Sequence, residues 1–224
     1  MSNQIVRRTF LKYCVLMTGS VVSGTYLLSS ASYAAQSGKP LRILVVYFSM
    51  PETDNPHNMS REEENSTVVI NGKVLGNTQY VAQLIQEMTG GDIFRILPQK
   101  PYPTAHRTLV DLAKEEQDQD ARPTIVGKIE APEEYDTIFI GYPNWWGDMP
   151  MILYTFLEQY DFSGKTIIPF CTHGGSGFSR TIRTMQDKQP GATVIRNGYS
   201  LSRSRMERAP SGVAEWLKEI GLKK

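Results

Sequence analysis

The chain has 224 residues, 40% hydrophobic and 21% charged, with 24 basic and 23 acidic side chains. These values fit one sizeable globular domain and exclude a disordered, collagenous or disulfide-built chain. The formal charge of +1 gives no electrostatic reason to expect nucleic acid or an anionic membrane surface as a partner.

Residues 1–34 carry Arg7, Arg8 and Lys12 and no acid, so the remainder holds 21 bases against 23 acids, a net −2. An apolar run from Tyr13 to Leu28, broken by Gly19 and Gly24, leads into Ser-Ala-Ser-Tyr-Ala-Ala. This is the layout of a secretory signal peptide, with cleavage expected after Ala34. The run Arg7-Arg8-Thr9-Phe10-Leu11-Lys12 resembles a twin-arginine signal, although Val6 stands where a hydroxyl residue is common. That resemblance implies export of an already folded protein to the periplasm, with any cofactor loaded beforehand. The alternative is a retained anchor, but the apolar run falls short of the ~20 residues a membrane span requires, and no stable span is expected after cleavage. Cys171 is then the one cysteine of the mature part, residues 35–224, so no internal disulfide forms.

The first predicted strand is Leu41 to Phe48, nearly continuous in branched and apolar residues, as in a strand buried on both faces. Further strands are predicted at Asp92 to Leu97, Thr137 to Tyr142, Thr166 to Cys171 and Thr193 to Tyr199. Between and after them, helical spacing begins near Thr78 and Thr104 and covers Pro150 to Gln159, Phe178 to Asp187 and Ser211 to Ile220. Gly90 and Gly221 suit helix ends, and Pro150 suits a first helical turn. Strict alternation predicts an α/β fold, a doubly wound five-stranded parallel sheet with helices on both faces. Ligands of such sheets bind beyond the carboxyl ends of the strands, where strand order reverses. That directs attention to the loops after the first, third and fourth strands.

After the first strand come Ser49, an interruption of 26 residues from Met50 to Leu75, and then Gly76-Asn77-Thr78 opening a helix. Hydroxyl, amide and backbone donors at a helix start suit a phosphate, whereas an ordinary helix cap uses the same residues. Within the interruption, Asn71-Gly72 between branched residues predicts a two-residue hairpin that leaves Ser49 and Gly76 adjacent.

The third strand ends in Gly141-Tyr142-Pro143-Asn144-Trp145-Trp146-Gly147-Asp148. Adjacent tryptophans at a strand end cannot both enter the core, so at least one lies on the loop surface. It serves as a platform for a flat ligand, or packs on a neighbouring helix or a dimer face. The fourth strand runs into Cys171-Thr172-His173-Gly174-Gly175-Ser176-Gly177, whose glycines allow close backbone approach to a ligand. Cys171 reads as a core residue. His173 is open between a surface polar group, a donor to an anionic ring edge and a proton donor to a substrate. Three scattered histidines without carboxylates at ligand spacing argue against a metal site.

These three loops, in this order, resemble the flavodoxin-like family: hydroxyl then Gly-Asn-Thr, Trp-Trp-Gly-Asp, and the glycine loop. The tryptophan loop is similar to that of flavodoxin-like NAD(P)H:quinone reductases. The long interruption departs from the family pattern. The resemblance implies strand order 2-1-3-4-5 and FMN as cofactor. It implies Ser49, Gly76, Asn77 and Thr78 around the phosphate, and Pro143, Asn144, Trp145, Trp146, Gly147, Thr172, His173, Gly174, Gly175 and Gly177 around the ring. A flavin-dependent oxidoreductase reducing a small quinone-like acceptor is the expected function. The alternatives are a one-electron carrier docking with a redox partner protein and a flavin-free binding module. Arg203, Arg205 and Arg208 form either a solvated face or a cluster reaching a cofactor phosphate.

Overall fold

Residues 41–222 are described by the structure, a computed structural model; the expected export signal and its cleavage point lie outside them. The chain-order elements are β1 (Ile43–Tyr47), α1 (Arg61–Ser66), β2 (Thr67–Ile70), β3 (Lys73–Gly76), α2 (Asn77–Thr89), β4 (Asp92–Arg95) and β5 (Leu97–Pro98). They continue with α3 (His106–Asp118), β6 (Ile125–Val126), β7 (Thr137–Pro143), α4 (Met151–Gln159), β8 (Thr166–His173) and α5 (Thr181–Lys188). The last are β9 (Thr193–Val194), β10 (Tyr199–Ser202) and α6 (Ala209–Glu219).

Strand β1 lies between β4 and β7, β8 follows β7, and β10 closes the far edge, every pairing parallel. In order of appearance these five strands stand 2-1-3-4-5, as expected. Side chains alternate across each strand. Leu44, Val46, Phe48, Ile138, Ile140 and Tyr142 face a core that takes in α3, α4 and α5. Val45, Tyr47, Phe139, Ile168 and Phe170 face a second core with α2 and α6. Burial on both faces explains the unbroken apolar runs.

The fifth strand differs from the expected single run over Thr193 to Tyr199. It is split into β9 and β10, both paired with β8. Ile195 N–H donates to Ile167 O at 2.8 Å, so alternate residues of β8 turn their backbone groups to this edge. Two positions on stands Pro169, which has no N–H to continue the ladder, and pairing resumes only opposite Phe170. Pro150 also stands one position earlier than expected, as the residue preceding α4 rather than within its first turn.

The interruption after β1 contains the predicted hairpin, with β2 and β3 antiparallel and Asn71 and Gly72 at positive φ in the turn. It also contains α1, which periodicity did not indicate. Ser60 caps this short helix, accepting from Glu63 N–H, while the Glu63 carboxylate accepts from Ser60 N–H at 2.7 Å. The hairpin returns the chain so that a Cβ on Gly76 would collide with Ser49 Oγ.

Candidate functional site

At the carboxyl ends of β1, β7 and β8 lies an open cleft of about 230 Å³. Ten of the expected residues line it: Ser49, Asn77, Thr78, Pro143, Asn144, Trp145, Trp146, Thr172, His173 and Gly174. Gly76, Gly147, Gly175 and Gly177 do not line the cleft. Sequence reasoning missed Met50, Glu52, Asn65 and Ser66 from the interruption, and His106, Leu109, Val110 and Ala113 from α3. Arg203 reaches the cleft from beside Gly174, while Arg205 and Arg208 do not line it.

The end of the cleft at α2 is rich in donors. Helix α2 begins after Gly76 with no side-chain cap and no acid in its first turn, which leaves N–H groups free at its positive end. Ser49, Asn77 and Thr78 are all buried there. Thr78 Oγ1 and Thr172 Oγ1 share a hydrogen bond of 2.8 Å, tying α2 to the end of β8. Asn77 Nδ2 donates to Asn65 O at 2.9 Å, but its buried Oδ1 has no partner. A buried acceptor left unpaired costs about 1–3 kcal/mol.

The aromatic loop is a tight reversal. Trp145 and Asp148 exchange both backbone hydrogen bonds, and Trp146 (φ 53°) and Gly147 (φ 75°) occupy the left-handed turn between them. Such a turn suits glycine at its second position and strains tryptophan at its first. Trp145 is half-buried with its ring edge-on to Phe48 and Tyr102, each at 5.6 Å between centroids. Trp146 is 54% exposed and is held by its indole N–H, which donates to Val110 O at 3.1 Å. One tryptophan therefore anchors the loop and the other stands in the cleft mouth.

Asn144 joins this loop to the glycine loop. Its Nδ2 donates to Gly177 O at 2.9 Å, and its Oδ1 accepts from Gly147 N–H at 3.1 Å. Asp148, fully buried, accepts from Met149 N–H, Tyr154 O–H and two Arg180 N–H groups. His173 Nδ1 accepts from Gly175 N–H at 2.9 Å, which assigns the proton of the neutral ring to Nε2. Burial lowers the pKa of His173, reinforcing the neutral form. Cys171 is buried, and burial pushes its thiol up to about 12, as befits a core residue and not a nucleophile.

A doubly wound sheet in flavodoxin strand order, with a donor-rich helix start and an aromatic loop at one cleft, defines the class of protein. The flavodoxin family model matches residues 67–220, and the chain belongs to that family. Among solved structures, a Bacteroides uniformis ATCC 8492 chain described as a flavoprotein is 30% identical at a TM-score of 0.54, covering 80% of this chain and 99% of that one. A second, from Bacteroides eggerthii DSM 20697 and also described as a flavoprotein, is 27% identical at a TM-score of 0.56. It covers 80% of this chain and 97% of that one. A flavoprotein in complex with FMN from Lactobacillus acidophilus NCFM shares the fold at 18% identity and a TM-score of 0.51, over 75% of this chain and 97% of that one. Comparison with curated proteins gives no match. No helix among the described residues is long and apolar enough to cross a membrane.

Proposed function

We propose that this is an exported flavoprotein that binds FMN in the cleft and acts as a flavin-dependent oxidoreductase. The observation that carries the FMN reading is the convergence on one cleft of the β1, β7 and β8 ends with the start of α2, which has no side-chain cap and no acid in its first turn. Ser49, Asn77, Thr78 and the first N–H groups of α2 would hold the phosphate. Trp146 would cover one ring face, and Thr172, His173 and Gly174 would meet the ring edge. FMN supplies reversible one- and two-electron chemistry when bound. Around it the chain excludes water with Trp145 and Trp146 and places a neutral His173, with its Nε2–H as donor, beside Arg203.

The oxidoreductase reading, against a one-electron carrier, draws on the cleft wall. Beside the tryptophans, Leu109, Val110 and Ala113 of α3 make one wall of the cleft apolar, which suits a small apolar acceptor. The near-neutral mature charge also lacks the strong acidity that steers a carrier to basic partners. Export rests on the sequence of residues 1–34. It is tested by comparing the mass of the protein from the periplasm with that of the full chain: loss of residues 1–34 is expected, and an intact cytoplasmic chain contradicts it.

For the flavin, the folded protein is purified, loaded with FMN and mixed anaerobically with NADH or NADPH. Rapid bleaching of the visible flavin absorption is the expected outcome, and a stable oxidised spectrum would assign the protein to the carriers. Trp146→Ala is expected to weaken FMN retention more than Trp145→Ala, because Trp146 is the exposed ring; equal retention would remove the platform.

A further inference from the structure

Glu52 and His106 are 54 positions apart in sequence, yet meet at the cleft wall. Glu52 comes from the interruption after β1, and its carboxylate is 7% exposed. Its backbone N–H is held by Ser66 Oγ at 3.0 Å, which fixes the segment that carries it. His106 is the first residue of α3. Its Nδ1 sits 3.1 and 3.0 Å from the two carboxylate oxygens, and its ring is 43% exposed. The carboxylate makes Nδ1–H the donor and orients the ring. Nε2 has no partner among the described residues.

Both side chains line the cleft that Leu109, Val110, Ala113 and Trp146 make partly apolar. Arg203 lines the same cleft as the pair, and Arg107 of α3 and Glu62 and Glu63 of α1 line the adjoining depression. A buried carboxylate that orients a half-exposed imidazole at the rim of an apolar seat is a proton-delivery arrangement.

We propose that His106 is the proton donor to a quinone-type acceptor reduced in this cleft, with Glu52 as its positioning residue. The inference rests on the FMN oxidoreductase reading above. FMN, when bound and reduced, would supply the two electrons and the first proton. The second proton passes from His106 Nε2–H to the acceptor's carbonyl oxygen: the Nε2–H bond breaks, an O–H bond forms, and the carbonyl π bonds of the quinone give way to the aromatic ring of the hydroquinone. Nε2 takes a proton back from water. An acceptor that takes electrons alone has no use for the pair, which is why the two readings separate experimentally.

The FMN-loaded protein is reduced by a stoichiometric amount of dithionite and mixed with a water-soluble benzoquinone across a range of pH, with ferricyanide as a proton-free acceptor on the same samples. In the wild type the quinone rate, relative to ferricyanide, is expected to fall as pH rises. In His106→Gln this ratio is expected to drop about a hundredfold, the low end of general acid catalysis, and to lose its pH dependence. In Glu52→Gln the pH profile of the quinone rate is expected to move. Without turnover, titrating the oxidised loaded protein with the quinone should shift the His106 ring resonances saturably, and His106→Asn serves where His106→Gln misfolds. Wild-type quinone rates and pH profile in a folded His106 variant overturn the proposal, as does a quinone titration that leaves the His106 resonances unmoved. Failure of the wild type to retain FMN overturns the parent reading instead, and the two failures are distinct.

Discussion

Gly141 sits in the third strand of the sheet where the Phe170 ring of β8 crosses it, and a Cβ there would run into that ring. Phe170 is fully buried and has nowhere to retreat without disturbing the second core. Gly141→Ala is therefore expected to destabilise by about 2–3 kcal/mol through overpacking, read as a lower denaturation midpoint. An unchanged midpoint would mean that Phe170 moves aside freely. His173 gives a prediction of opposite character. Burial depresses its pKa, so below the ordinary histidine value the unfolded chain binds a proton that the folded loop does not. Stability linked to this ring is whole above about pH 6.5 and is lost as pH falls below that value and through the lower folded-state pKa. Comparing denaturant midpoints at about pH 7.5 and about pH 5 should show a smaller drop in His173→Gln than in the wild type, and an equal drop would place the titration elsewhere.

The elements that matter most are two loops braced against each other. Asp148 closes the tryptophan turn on one side and is tied to α4 through Tyr154 and to the start of α5 through Arg180. Asp148→Ala leaves the Tyr154 hydroxyl and the Met149 N–H without an acceptor. It is expected to cost about 1–3 kcal/mol, measured by equilibrium unfolding, and to weaken FMN binding although Asp148 lies outside the cleft. Full retention of affinity would show that the turn holds itself.

Most of these elements were legible from sequence because each announces itself locally. The strands of a twice-covered sheet are unbroken apolar runs, the helices carry their stripe, and Asn71-Gly72 names its own turn. Helix α1 went unread: its capping pair, Ser60 and Glu63, stands in the sequence, but the helix has no buried residue and so no apolar period to mark it. The break in the fifth strand was not legible, because its cause, Pro169, is on the neighbouring strand.

At the scale of the whole molecule, the family's three loops are assembled on an ordinary scaffold and the interruption after β1 adds a wall of its own. Residues 41–48, 76–89, 137–148 and 166–177 let the cleft be placed in advance, since strand order decides where a doubly wound sheet binds. The contribution of Glu52 and His106 was invisible. Only folding brings a hairpin-bearing segment to the start of α3, and neither residue stands in a pattern that marks it. FMN binding to the folded state alone should also stabilise the whole domain, by about 2.7 kcal/mol at a free concentration a hundredfold above Kd. The rise in thermal midpoint with added FMN checks this, and no rise would contradict it. The most direct test is a titration of flavin-free protein with FMN, followed by quenching of flavin fluorescence. Saturable one-to-one binding, weakened by Trp146→Ala and by Thr78→Ala, is the predicted result; the absence of quenching at any FMN concentration would contradict the account.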